Sequence, residues 1–124
     1  MLSFDETAAV LDNIADSLPE DFYRHLNGGV YLLPDERIHP KSRDSHKLYI
    51  LGEYHSRRDL GRYINIYYGS FARVYGHLTP EQWKEKLRKT LLHEFTHHLE
   101  IMAGERGLEI KDEQGLERYL RNSR

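Results

Sequence analysis

The chain has no cysteine. That absence removes disulfide frameworks and thiolate chemistry, and it leaves His, Asp and Glu as the side chains able to hold a metal. No apolar run approaches the ~20 residues that a membrane-spanning helix needs. The opening residues, Met1-Leu2-Ser3-Phe4-Asp5-Glu6, contain neither the basic nor the apolar stretch of a secretory signal. Together these absences predict a protein that stays in the cytoplasm and has no membrane partner. An excess of one charge is missing as well. Eighteen Lys and Arg face twenty Asp and Glu, for a net charge of −2, which is no footprint for nucleic acid. The basic runs Arg57-Arg58 and Lys84-Glu85-Lys86-Leu87-Arg88-Lys89 are interrupted and read as solvated faces. Repeats, low-complexity tracts and linkers are absent, so residues 1–124 form a single domain. With 39% hydrophobic residues in 124, the chain can bury a modest core.

The pattern along the chain predicts an α+β fold. Ala8, Leu11, Ile14, Ala15 and Leu18 recur at helical spacing over residues 4–18, and Pro19 stops them. Asn27-Gly28-Gly29 is a turn. Val30 to Leu33 reads as a strand closed by Pro34, and residues 35–46 as a loop. Lys47 to Tyr54 reads as a second strand, Arg57 to Gly61 as a tight connection, and Arg62 to Tyr68 as an alternating third strand. Phe71 to Tyr75 either extends that strand or begins a new edge. The sheet is therefore small, three- to four-stranded, and mixed or antiparallel. Thr79, Pro80 and Gln82 form a helix start with a capping box. From there a long helix runs free of Gly and Pro to Ala103, where Gly104 ends it. A short C-terminal helix is predicted from about Asp112 through Leu116, Tyr119 and Leu120.

The long helix carries the chemistry. Leu87, Leu91, Leu92, Phe95, Leu99 and Met102 share one broad apolar stripe, whereas His93, His97 and Glu100 share a narrower polar face. His93 and His97 are one turn apart, so their imidazoles converge on one ion, which is why H-E-x-x-H helices space them at i and i+4. Glu94 is offset by one position and points beside the ion, where a general base must sit. His98 falls on another side of the helix and reads as a surface or packed histidine.

The chain resembles the minimal zincins, the small zincin-like metallopeptidase-family proteins of bacteria whose long helix carries H-E-x-x-H-H. The resemblance spans nearly the whole length. It includes Leu18-Pro19, Leu51-Gly52-Glu53-Tyr54, Ile64-Asn65-Ile66-Tyr67-Tyr68-Gly69, and Leu87 through His98 with its double histidine. It implies a zincin-like fold and a zinc peptidase with one Zn2+ per chain and a peptide or protein substrate. Many relatives continue H-E-x-x-H-H-F-G-x-x-D, in which Gly ends the helix and Asp is the third ligand. Here Glu100 and Ala103 occupy those places. The third ligand is then Asp112, in the acidic segment Lys111-Asp112-Glu113-Gln114, or alternatively Glu100, with Glu105 and Glu109 behind them. Three ligands on one straight helix are strained, although the Glu100 side chain leans back toward His97.

In the implied mechanism Glu94 takes a proton from the attacking water and passes it to the leaving amine. An oxyanion stabiliser is also required, for which Tyr54, His55, Tyr67 and His77 are the polar-tipped candidates. The Tyr63 to Tyr68 strand is placed to line the cleft and pair with an extended substrate. Two other readings compete: a non-catalytic metal-binding or interaction domain on a zincin-like fold, and a domain whose histidines are only polar surface. Oligomeric state is not fixed by the sequence.

Overall fold

The computed structural model describes residues 1–45 and 47–105. In chain order the elements are α1 (Phe4–Ser17), a 3-10 turn (Glu20–Tyr23), β1 (Gly29–Leu33), β2 (Gly52–Arg57), β3 (Gly61–Tyr67), α2 (Tyr68–Tyr75) and α3 (Pro80–Glu105). The fold is α+β, with three α-helices and one three-stranded mixed sheet among the described residues. The expected C-terminal helix lies outside them.

Local chemistry fixes the helix starts. Ser3 caps α1, its hydroxyl accepting from the Glu6 N–H at 3.1 Å while the Glu6 carboxylate accepts from the Ser3 N–H at 3.0 Å. Thr79 and Gln82 make the same reciprocal pair at α3, at 3.2 and 3.1 Å. Helix α3 does not stop at Gly104 but runs to Glu105. Gly ends a helix only where the backbone turns left-handed, and inside one it merely costs about 1 kcal/mol against Ala. Buried Met102 and Ala103 hold the last turn in place.

Two strand expectations change. The Leu51 carbonyl accepts from the Tyr67 N–H of β3 at 2.9 Å, but residues 47–50 do not join the sheet. Their main-chain bonds go to the preceding excursion instead, from the His39 N–H to the Leu48 carbonyl and from the Ile50 N–H to the Arg37 carbonyl, each 2.8 Å. Strand β2 begins only at Gly52. The Phe71–Tyr75 segment is helical, within α2. Gly69 lets that helix start against another stretch of backbone, since a Cβ there would sit 2.8 Å from the Asp35 carbonyl. The buried Ser70 hydroxyl then accepts from the Arg37 N–H at 2.8 Å and donates to the Arg37 carbonyl at 3.1 Å. This clip holds the 34–51 excursion beside α2.

The sheet order is β1-β3-β2, with β1 parallel and β2 antiparallel to β3. The core lies between sheet and helices. Ile64 and Ile66 of β3 meet Trp83, Leu87, Leu91, Phe95 and Leu99 of α3. The Trp83 indole N–H donates to the buried Thr7 hydroxyl at 3.2 Å and ties α3 to α1. Because β3 is central, both its edges are paired. The expectation that the Tyr63–Tyr68 strand receives substrate therefore fails, since among the described residues the open edges belong to β1 and β2.

Candidate metal centre

Burial of the apolar stripe fixes how α3 is rotated. With Leu91, Phe95 and Leu99 inward, His93, His97 and Glu100 are exposed, as their spacing requires. The two imidazoles face each other with Nε2 atoms 3.1 Å apart. Donor atoms of His93, Glu94 and His97 all lie within 4.8 Å of one another. Two imidazoles and a neighbouring carboxylate form a donor set that zinc accepts, and that Mn, Fe, Co and Ni accept too. Glu100 stands outside this group. Asp112 and Glu109 lie outside the described residues, as does the side chain of Glu105.

Glu94 differs from its two neighbours in being buried, at 6% exposure. Burial pushes its carboxyl pKa up. Charge on His97 and His93 opposes that rise, the Glu53 carboxylate adds to it, and the Tyr54 main-chain N–H, donating to the carboxylate, lowers it. A carboxylate so placed is a better proton acceptor than an exposed one.

His98 is fully buried. Its Nε2 lies 2.7 Å from the Arg24 carbonyl oxygen, which can only accept, so Nε2 carries the proton. The neutral ring then accepts at Nδ1 from the Tyr54 hydroxyl, 2.8 Å away. His98 is thus a packed histidine that ties α3 to β2 and to the residue after the 3-10 turn.

A groove of 380 Å³ opens beside His93 and Glu94, bounded by Tyr49, Leu51, Gly52, Tyr75, Lys86 and Lys89 among others. None of the four oxyanion candidates borders it. The Tyr54 hydroxyl is engaged by His98. The Tyr67 hydroxyl donates to Glu53 at 2.6 Å, and Arg37 lies 2.7 Å from the same oxygen. His55 stacks on Tyr63, with centroids 5.0 Å apart. His77 is exposed after α2. Sequence reasoning missed Tyr49, Tyr75 and the two lysines. Lys86 and Lys89 carried a signal, because they precede His93 by seven and four residues on one helix side. Tyr49 carried none, since it reads as sheet.

No family model matches the chain, and no curated protein does. Among solved structures it is similar to a conserved hypothetical protein from Thermus thermophilus. The two share 33% identity over 83% of this chain and 99% of that one, with a TM-score of 0.70. The chain belongs to that protein's family.

Proposed function

We propose that this protein is a zinc-dependent peptidase of the minimal zincin-like type. The observation that carries the reading is the convergence of the His93 and His97 Nε2 atoms on an exposed helix face, with buried Glu94 beside them. His93, His97 and one further carboxylate, Asp112 or Glu100, would hold one ion per chain. When bound, such an ion supplies Lewis acidity toward a water and a peptide carbonyl.

The chain's own residues do the rest. Glu94 accepts a proton as water adds to the carbonyl carbon, then delivers it to the amine nitrogen as the C–N bond breaks. The Tyr54 N–H orients the Glu94 carboxylate for both transfers. The outer edge of β2 starts at the groove with Gly52 and offers main-chain groups to an extended peptide. Lys86 and Lys89 give one wall a positive charge.

A second reading, a metal-binding or interaction domain without hydrolysis, is favoured by one observation. Helix α3 continues unbroken through Glu100 and Ala103, the places of the helix-ending Gly and the ligand Asp in the minimal zincins that the sequence resembles. One experiment separates the two. The zinc-supplied protein is incubated with a quenched fluorescent peptide library beside its Glu94→Gln variant. Cleavage lost in the variant, with its metal retained, supports the peptidase. Bound metal with no cleavage in either protein supports the second reading.

A further inference from the structure

A second groove, of 560 Å³, lies between α1 and β1. It is remote from the His93–His97 face. β1 and β2 are opposite edges of the sheet with β3 between them, and the groove beside Glu94 lies at β2. Leu11, Ala15, Val30 and Leu32 give it an apolar lining, and exposed Asp12, Asp16 and Glu20 border it.

Three features of this groove point the same way. Val30, Tyr31 and Leu32 all line it although consecutive strand side chains alternate between faces. Tyr31 is 51% exposed and packs edge-on against Tyr63 across the sheet, so one wall is the main chain of β1. That main chain is paired only with β3 among the described residues, which leaves an open row of N–H and C=O groups. The strand, Gly29-Val30-Tyr31-Leu32-Leu33, has none of the charges that usually protect an edge. Finally, the three bordering acids are spaced four residues apart, so the groove carries one sign of charge.

We propose that this groove receives an extended segment of a partner protein, which adds a strand to the outer edge of β1. Alternate apolar side chains of that segment rest on Leu11, Val30 and Leu32, and its intervening lysines or arginines meet Asp12, Asp16 and Glu20. A helix lying beside an open strand edge is the arrangement used for strand addition, in which main-chain bonds give affinity and the flanking side chains give specificity. A second copy of this chain fits less well. Its own β1 brings no cation, and a two-fold contact would set these acids against each other.

The test uses the full chain and a fluorescein-labelled peptide, Lys-Val-Lys-Leu-Lys-Val-Lys, followed by fluorescence anisotropy. The proposal predicts saturable binding that weakens about tenfold or more when Asp12→Lys and Asp16→Lys are combined. The same charge change made as Glu81→Lys with Glu85→Lys on α3 should have far less effect. Both acids of the first pair are exposed, and circular dichroism checks that the variant is folded. Two further peptides carry N-methyl groups on either the lysines or the apolar residues. Because alternate N–H groups of a strand face opposite ways, one set should abolish binding and the other should be tolerated. Equal tolerance of both sets would overturn strand addition. Failure to bind, or indifference to the Asp12 and Asp16 changes, would overturn the groove as the site. Self-association in sedimentation that disappears in the Asp12/Asp16 variant would assign the groove to a second copy instead.

Discussion

The Tyr54 hydroxyl donates to Nδ1 of buried His98 at 2.8 Å, while the main-chain N–H of the same Tyr54 donates to Glu94. One residue of β2 therefore holds both the interior side of α3 and the side that carries Glu94. Tyr54→Phe removes the hydroxyl and leaves His98 Nδ1 buried without that donor, a loss of about 1–3 kcal/mol. Thermal unfolding should show a midpoint lowered by several degrees. Because the main-chain bond to Glu94 survives, metal uptake at 25 °C should be unchanged.

Burial gives Glu94 a raised pKa, and the sign of its effect on stability follows. Its folded-state pKa lies above the unfolded value, so the folded protein binds the proton more tightly. Stability falls as pH rises from the ordinary carboxylate range through the raised value, and the full cost is present above it. In metal-free protein held in chelator, Glu94→Gln removes that cost while keeping an acceptor for the Tyr54 N–H. Its melting temperature should exceed that of the parent by a few degrees at pH 8, and the gap should close toward about pH 4. A gap that widens on acidification would contradict the assigned burial effect.

Gly52 sets the distance between β2 and the face of α3 that carries Glu94. A Cβ there would meet Ile66 Cδ1 at 3.0 Å, the Asn65 carbonyl oxygen at 3.2 Å and Glu94 Cγ at 3.3 Å. Gly52→Ala should cost about 1–3 kcal/mol through overpacking and displace the Glu94 carboxylate. Denaturant unfolding measures the first effect. The second should appear as a lower kcat with little change in KM wherever cleavage is observed.

Periodicity and capping made much of this visible in the sequence. Thr79, Pro80 and Gln82 announce α3, and the Leu87 to Met102 stripe fixes which side of it faces the core, so the exposure of His93 and His97 follows. Pro19 likewise marks where the α1 pattern stops. What stayed hidden depends on partners distant in the chain. Nothing local to Leu48 and Ile50 says that their bonds go to residues 37–39 instead of the sheet. Nothing local to Ser70 says that it clips Arg37, which is why α2 reads as strand. The central place of β3 comes from strand order, which alternation does not encode, and with it goes the substrate role expected of that strand. His98 reads from the sequence as surface or packed, and the structure packs it against Tyr54 and Arg24, partners 44 and 74 residues away.

On the proposed reading, His93 and His97 hold a metal for Glu94 to work beside. The most direct test is elemental analysis of the zinc-supplied full chain, with His93→Ala and Glu94→Gln in parallel. About one zinc per chain is expected, lost in His93→Ala and kept in Glu94→Gln. Absence of stoichiometric metal from the parent protein, or equal metal in parent and His93→Ala, would contradict it.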